Sequence, residues 1–270
     1  MSLKAVVFDW AGTVIDFGSF APMGIFVETF SRFGIEVTLE EARQPMGLPK
    51  RDHISAMINN ERIRKAWAKH YGKEPGEKDI DAIYDVFVPL NEAIVHEYAA
   101  LIPGTVDVVN NLRQRGIKIG STTGYTRSIM ERILPLAAEQ GYVADNLVCA
   151  GDVKHGRPTP LNMYKTFLDL DVWPASRVVK VDDTVVGIQE GLAAGCWTIA
   201  VALSGNEAGL TQAQYDALSQ SERLSLRQKI SPIFEEVGAH FVVDTIADLL
   251  PIIDEIEQRI MRGEHPRNIN

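Results

Sequence analysis

The chain has 270 residues, more than one compact domain ordinarily holds and fewer than two full-sized ones need, so the length predicts a core domain carrying an insertion. Hydrophobic residues at 46% and charged residues at 23% match an ordinary globular protein and exclude disordered or collagen-like chains. A formal charge of −9, from 27 basic against 36 acidic side chains, excludes broad binding to nucleic acid or anionic membrane, which needs a positive field; a small anionic substrate held by a few placed cations remains open.

Residues 4–9 (KAVVFD) form a short apolar run suited to a strand buried on both faces, broken by Ala11-Gly12. Residues 18–100 show only helical patterns. Phe26, Phe30 and Phe33 make one stripe. The run 38–41 (TLEE) has capping-box spacing and opens a short helix that ends before Pro45. A helix starting near Pro49 puts Lys50 and His53 on one face. Ile80, Ile83, Tyr84, Phe87, Leu90 and Ile94 make a longer stripe, with Pro89 inside it. Beyond the block, residues 105–115 carry Val106, Val109 and Leu112 and stop at Gly116, a helix C-terminal signal. Strand patterns follow at 117–122, 178–182 and 197–202, with weaker ones at 147–150 and 240–243. Residues 219–229 read as a solvated surface helix. Residues 245–260 carry Leu249, Ile252, Ile253 and Ile256, with Pro251 in the first turn.

Strands alternating with helices predict a doubly wound, Rossmann-like parallel α/β core, with chemistry at the carboxyl ends of the strands. The core comprises residues 1–17 and 101–270, and the inserted all-helical block, 18–100, is a candidate lid. The first strand begins too early for a signal peptide, and the apolar run 196–203 is far shorter than the roughly 20 residues a membrane helix needs. Cys149 and Cys196 have no metal or CxxC spacing and read as buried thiols. The expected compartment is the cytoplasm.

Four strand ends carry chemistry in chain order. Asp9 stands at the tip of the first strand; alone, it would equally suit a turn cap. Residues 121–125 (STTGY) offer hydroxyls and free backbone N–H groups, Arg157 in Gly156-Arg157-Pro158 is a fixed cation, and Asp182-Asp183 is an acidic pair. A carboxylate nucleophile, a hydroxyl, a cation and a metal-binding acid pair together make a phosphoryl-transfer site, with Mg²⁺ bridging carboxylates to substrate.

With these stations the sequence resembles the haloacid dehalogenase superfamily, and the helical insertion sits where that superfamily carries its first cap. The resemblance implies that Asp9 is the nucleophile, that Thr123, Gly124 and Arg157 hold the phosphoryl group, and that Asp9, Asp183 and the Ala11 carbonyl hold Mg²⁺. Two departures stand out. Phosphatases of the superfamily usually carry a general-acid Asp where this chain has Ala11. Many relatives also place a carboxylate a few residues after the metal-binding one, where this chain has Val186-Gly187 and, instead, the tandem Asp182-Asp183. Asp183 is the expected ligand, with Asp182 behind it.

DWAGT at 9–13, FAP at 20–22, EEAR-x-PMG at 40–47, GSTTGYTR at 120–127 and GRP at 156–158 are more specifically similar to the phosphonoacetaldehyde hydrolase family, almost end to end. In that family a cap lysine forms a Schiff base with the substrate aldehyde, here Lys50, and the protein is a homodimer, which would place the contact on the cap. Ser19, Met46, Gly47 and Tyr125 match pocket positions, Ser19 where some relatives have cysteine. His53 is the candidate for moving protons during imine formation. An iminium accepts the electrons of a breaking C–P bond, so no acid need protonate a leaving oxygen, and Ala11 becomes intelligible. Two rivals are an ordinary phosphatase or phosphomutase acting on a small phosphate ester, and a non-catalytic metabolite-binding protein; Ala11 opposes the first, and the intact Asp9, Thr123, Arg157 and Asp183 oppose the second.

Overall fold

The computed structural model describes residues 2–266. Its strands β1 (Ala5–Phe8), β2 (Lys118–Thr126), β3 (Val148–Ala150), β4 (Val178–Asp182), β5 (Trp197–Val201) and β6 (Phe241–Val243) form one sheet in the order β3-β2-β1-β4-β5-β6. Every pairing is parallel. β1, β4 and β5 are buried at every residue, as strands covered by helices on both faces must be. The chain order reverses between β1 and β4, which opens a crevice at their carboxyl ends. Phe8 pairs with both Ser121 and Val181, so the residues after β1, within β2 and after β4 meet at that crevice.

Between β1 and β2 lie α1 (Ala21–Arg32), α2 (Leu39–Arg43), α3 (Lys50–Asn59), α4 (Glu61–Tyr71) and α5 (Glu77–Ile94). They enclose an apolar core of their own, including Phe26, Phe30, Met57, Trp67, Ile83 and Phe87; Phe33 is only partly buried against it. The Thr38–Glu41 capping box opens α2, and Pro49 immediately precedes α3, leaving Lys50 in its first turn. Pro89 lies inside α5.

The rest of the chain supplies α6 (Thr105–Gln114), α7 (Arg127–Glu139), α8 (Leu161–Leu170), α9 (Val185–Ala193), α10 (Gln212–Ala217), α11 (Gln220–Glu236) and α12 (Leu249–Met261). Three elements differ from the sequence reading. The inward face of α6 is Thr105, Val108, Val109 and Leu112, with Val106 half-buried, because the sheet sits beside the adjoining row of the helix. α11 is longer than its polar start implied, and its last turns bury Ile230 and Phe234. β2 runs on to Thr126, so Thr123, Gly124 and Tyr125 belong to the strand, which shifts register against β3 between Thr122 and Thr126. No described helix is long and apolar enough to cross a membrane.

Candidate active site

Asp9 follows β1 directly, and its N–H donates to the Val181 carbonyl at 2.9 Å, which fixes the carboxylate beside the end of β4. There it meets Asp182 and Asp183: one oxygen from each of the three lies within 4.8 Å of the others, and all three side chains are buried. Burial, with Asp182 alongside, pushes Asp9 up to about 6 against the pull of Arg157. Burial raises Asp183 well above the usual carboxylate range, and Asp9 and Asp182 add to it. Asp182 behaves oppositely: burial works to raise it, but Arg157 and Lys180 outweigh that and hold it low.

Beneath the carboxylates lies a buried charge network. Arg157 Nη2 donates to Asp9 Oδ1 at 2.7 Å and to the Thr122 carbonyl and hydroxyl at 2.9 Å each. Its Nε stands 3.2 Å from Glu190 Oε2. Lys180 Nζ donates to Thr122 Oγ1 at 2.7 Å and ion-pairs with Asp182 at 3.0 Å and Glu190 at 3.3 Å. Lys180, Asp182 and Glu190 are wholly buried, where an unpaired charge would be strongly destabilising. Asp182 Oδ1 also accepts from the Thr184 N–H and hydroxyl, at 3.0 and 2.7 Å. Both Asp182 oxygens therefore already have partners within the chain. A Cβ on Gly187 would come within 2.0 Å of Asp182 Cγ, so the Asp182 carboxylate occupies the space a side chain at 187 would fill.

The helical block closes the crevice from above. Lys50 is 4% exposed and Asp9 6%, and both face one pocket with Ala11, Ser19, Met46, Gly47, Thr123, Gly124, Tyr125, Arg157, Asp183 and Thr184. Lys50 Nζ lies over the Tyr125 ring, 5.1 Å from its centroid, and 5.6 Å from that of Phe26. Burial in this aromatic setting lowers the Lys50 amine to about 8, although Asp9 pulls the other way. His53 is placed otherwise. Its ring stacks on Phe26 at 3.9 Å, and Nε2 donates to the Ala42 carbonyl at 2.8 Å. Burial, then Lys50, holds it well below the ordinary histidine range, so it is a neutral imidazole bracing α3 against α2, outside the pocket wall.

A family profile described as haloacid dehalogenase-like hydrolase matches residues 3–195. The phosphonoacetaldehyde hydrolase of Paraburkholderia phytofirmans is 52% identical over 264 residues, covering 98% of this chain and 99% of the relative. The chain belongs to the phosphonoacetaldehyde hydrolase family. The enzyme of that name from Pseudomonas fluorescens is 44% identical over 267 residues, covering 99% and 97%. A crystal structure of a phosphonoacetaldehyde hydrolase-like protein from Oleispira antarctica superimposes with a TM-score of 0.96 at 45% identity, covering 98% of this chain and 96% of that one.

In this phosphonoacetaldehyde hydrolase family member, the pocket gathers all the residues singled out from the sequence except His53 and Asp182. Lys180 and Glu190 escaped the sequence reading, and Thr122 entered it only within the hydroxyl run 121–125. Their signal was faint: Lys180 and Asp182 alternate on β4, so both side chains leave the strand on one face. The donor set suits a hard divalent cation. Asp9 and Asp183 offer buried carboxylate oxygens that repel each other, whereas Arg157 and Lys180 already answer Asp182. As a family member, the chain is a hydrolase with a small-molecule pocket.

Proposed function

We propose that this protein hydrolyses the C–P bond of phosphonoacetaldehyde to acetaldehyde and phosphate. The observation that carries the proposal is a buried, weakly basic Lys50 facing the same pocket as Asp9, with Ala11 where a leaving oxygen would need an acid. The neutral Lys50 amine adds to the aldehyde, and with the uptake of one proton water departs, leaving an iminium. Asp9 attacks phosphorus; the C–P electrons move into the iminium, and the departing fragment is an enamine on Lys50. Water cleaves the Asp9 acyl phosphate. The enamine takes a proton at carbon, and a second water frees acetaldehyde and Lys50. Arg157 and Thr123 hold the phosphonate oxygens, and Met46, Gly47, Ser19 and Tyr125 keep bulk water from the iminium. Mg²⁺, when held by Asp9, Asp183 and the Ala11 carbonyl, neutralises charge so that a dianion can approach a carboxylate; Asp182 stands behind, orienting Arg157.

The same reading takes residues 18–100 as a cap on a core of 1–17 and 101–270, in a cytoplasmic homodimer. The exposed apolar strip of Leu161, Tyr164 and Leu168 on α8, with Trp173 nearby, offers one surface for a self-complementary contact, and the exposed Leu39 and Tyr71 offer another on the cap. The decisive experiment treats the protein with phosphonoacetaldehyde and borohydride and maps the adduct by mass spectrometry. A reduced adduct on Lys50, together with loss of turnover in Lys50→Arg, is expected. Full turnover in Lys50→Arg, or no adduct on Lys50, overturns the scheme.

A further inference from the structure

We propose that Arg43 is a positioning residue that couples seating of the helical cap to the orientation of the metal ligand Asp183. The proposal rests on the metal reading given above. Arg43 ends α2, just before the turn that brings Met46 and Gly47 to the pocket. Its Nη1 donates to the Gly18 carbonyl at 2.9 Å, to the Asn206 carbonyl at 3.1 Å and to Asn206 Oδ1 at 3.2 Å. The guanidinium also lies over the Phe20 ring, 4.9 Å from its centroid. One side chain thus joins three segments: the cap helix, the crossing between core and cap, and the loop after β5.

Each of those segments is itself fixed. In the crossing, Asp16, Gly18 and Ser19 all have left-handed backbone, with φ of 53°, 88° and 54°. The Asp16 carboxylate accepts from the N–H groups of Phe20 and Ala21 at 3.0 and 2.9 Å, where α1 begins, and the Gly18 N–H donates to the Ser204 carbonyl at 2.7 Å. The loop after β5 reaches the reaction centre directly. Ser204 Oγ donates to the Gly12 carbonyl at 2.9 Å, and the Asn206 N–H donates to Asp183 Oδ2 at 2.8 Å. Gly205 permits this approach, since a Cβ there would meet Asp183 Cβ at 2.5 Å. On the cap side, the Ala42 carbonyl preceding Arg43 is held by His53 of α3, the helix that begins with Lys50. The contacts therefore run from Lys50's helix through Ala42 and Arg43 to Asn206 and Asp183.

Lifting α2 away from the core must break the Arg43 contacts and free the buried Asn206 loop, so the backbone donor on Asp183 loses its support. Linkage then works in both directions: whatever seats the cap orients Asp183, and a cation bound to Asp183 favours the seated cap. Arginine suits this task because its fork of N–H donors serves several acceptors at once, whereas a lysine ammonium is a point charge.

The test is calorimetric titration of MgCl₂ into the substrate-free full-length protein, comparing wild type with R43M and R43K, and with D183N as control. R43M is expected to weaken Mg²⁺ binding by at least about fivefold, the low end of coupling between sites, with R43K intermediate. KM for phosphonoacetaldehyde should rise more than kcat falls. Wild type and R43M binding Mg²⁺ equally well, where D183N does not, overturns the role of Arg43 alone. Equal uptake by wild type and D183N instead removes the metal reading. If R43M does not fold, R43K decides: wild-type affinity overturns the proposal and weakened affinity supports it.

Discussion

Replacing Asp9 with Asn should shift the pH at which Lys50 becomes nucleophilic downward, by an amount the structure frames. An ordinary lysine titrates at 10.5, whereas burial brings Lys50 to about 8. At pH 7 roughly one molecule in ten then carries the free amine, against roughly one in three thousand for the unshifted group, a gain of about 300-fold in reactive species. Asp9 is the strongest influence holding Lys50 up, and Arg157 the next one pushing it down. D9N removes the first and keeps the second, so the amine loses its proton more easily. In the proposed mechanism the variant also lacks the nucleophile for phosphorus, which isolates imine formation from C–P cleavage. The assay is the initial rate of borohydride-trapped labelling of Lys50 in D9N with phosphonoacetaldehyde, from pH 6 to 10, read by mass spectrometry. Labelling should rise to a plateau with a midpoint below 8, while wild-type kcat/KM rises through about 8. A D9N midpoint near 10 would show that Lys50 reacts while solvated. A midpoint unmoved at 8 would show that Asp9 does not act on it.

Other consequences follow from the carboxylates. Asp183 carries a folded-state pKa raised by burial and by its acidic neighbours. Its folded form therefore resists losing a proton, and metal-free stability should fall as pH rises above the ordinary carboxylate range. D183N should reduce that loss, raise the metal-free melting temperature at pH 7.5 by a few degrees, as about 1 kcal/mol would, and remove the stabilisation MgCl₂ gives wild type. Gly187→Ala should destabilise by about 1–3 kcal/mol through overpacking, measured by urea unfolding. The loss should be smaller in an Asp182→Gly background, since Asp182 holds the space the new methyl would enter. Arg157→Lys keeps the charge but cannot serve Asp9, Thr122 and Glu190 together; kcat should drop at least about tenfold, or about 1.4 kcal/mol in the barrier, without a matching rise in KM.

How much of this was legible in the sequence depended on whether a residue's partners lay close along the chain or across the sheet. β1, β4 and β5 declared themselves as apolar runs because a parallel sheet covered on both faces needs no alternation. Asp9 and Asp183 were legible because each directly follows a strand's carboxyl end, and Arg157 because it lies in the loop after β3, on the edge where this topology gathers chemistry. Val106 misled because two adjoining rows of α6 are both apolar, and only packing selects the one with Val108. Glu190 was invisible for a different reason. Inside α9 an isolated glutamate reads as a solvated helix residue, and its partners Thr122, Asn162 and Arg157 are 68, 28 and 33 positions away (190 − 157 = 33). His53 was placed on the correct helix face, but spacing could not foretell that the Ala42 carbonyl would claim Nε2.

The two departures from the phosphatase pattern have one electrostatic consequence. Asp182 and Glu190 are answered within the chain by Arg157 and Lys180, Arg157 also pairs with Asp9 at 2.7 Å, and the carboxylates that act on Lys50 are Asp9, Asp16 and Asp183. Their field raises the basicity of Lys50, opposing the burial that lowers it. A cation shared by Asp9 and Asp183 cancels their part of that field and so acts on Lys50 in the same direction as D9N. An aspartate at position 11 would restore it, adding a carboxylate to a pocket wall that already carries Asp9 and Asp183. In the proposed Schiff-base mechanism Ala11 is therefore more than the absence of an acid that C–P cleavage does not need: it keeps one more negative charge away from an amine that has to be neutral to add to the aldehyde.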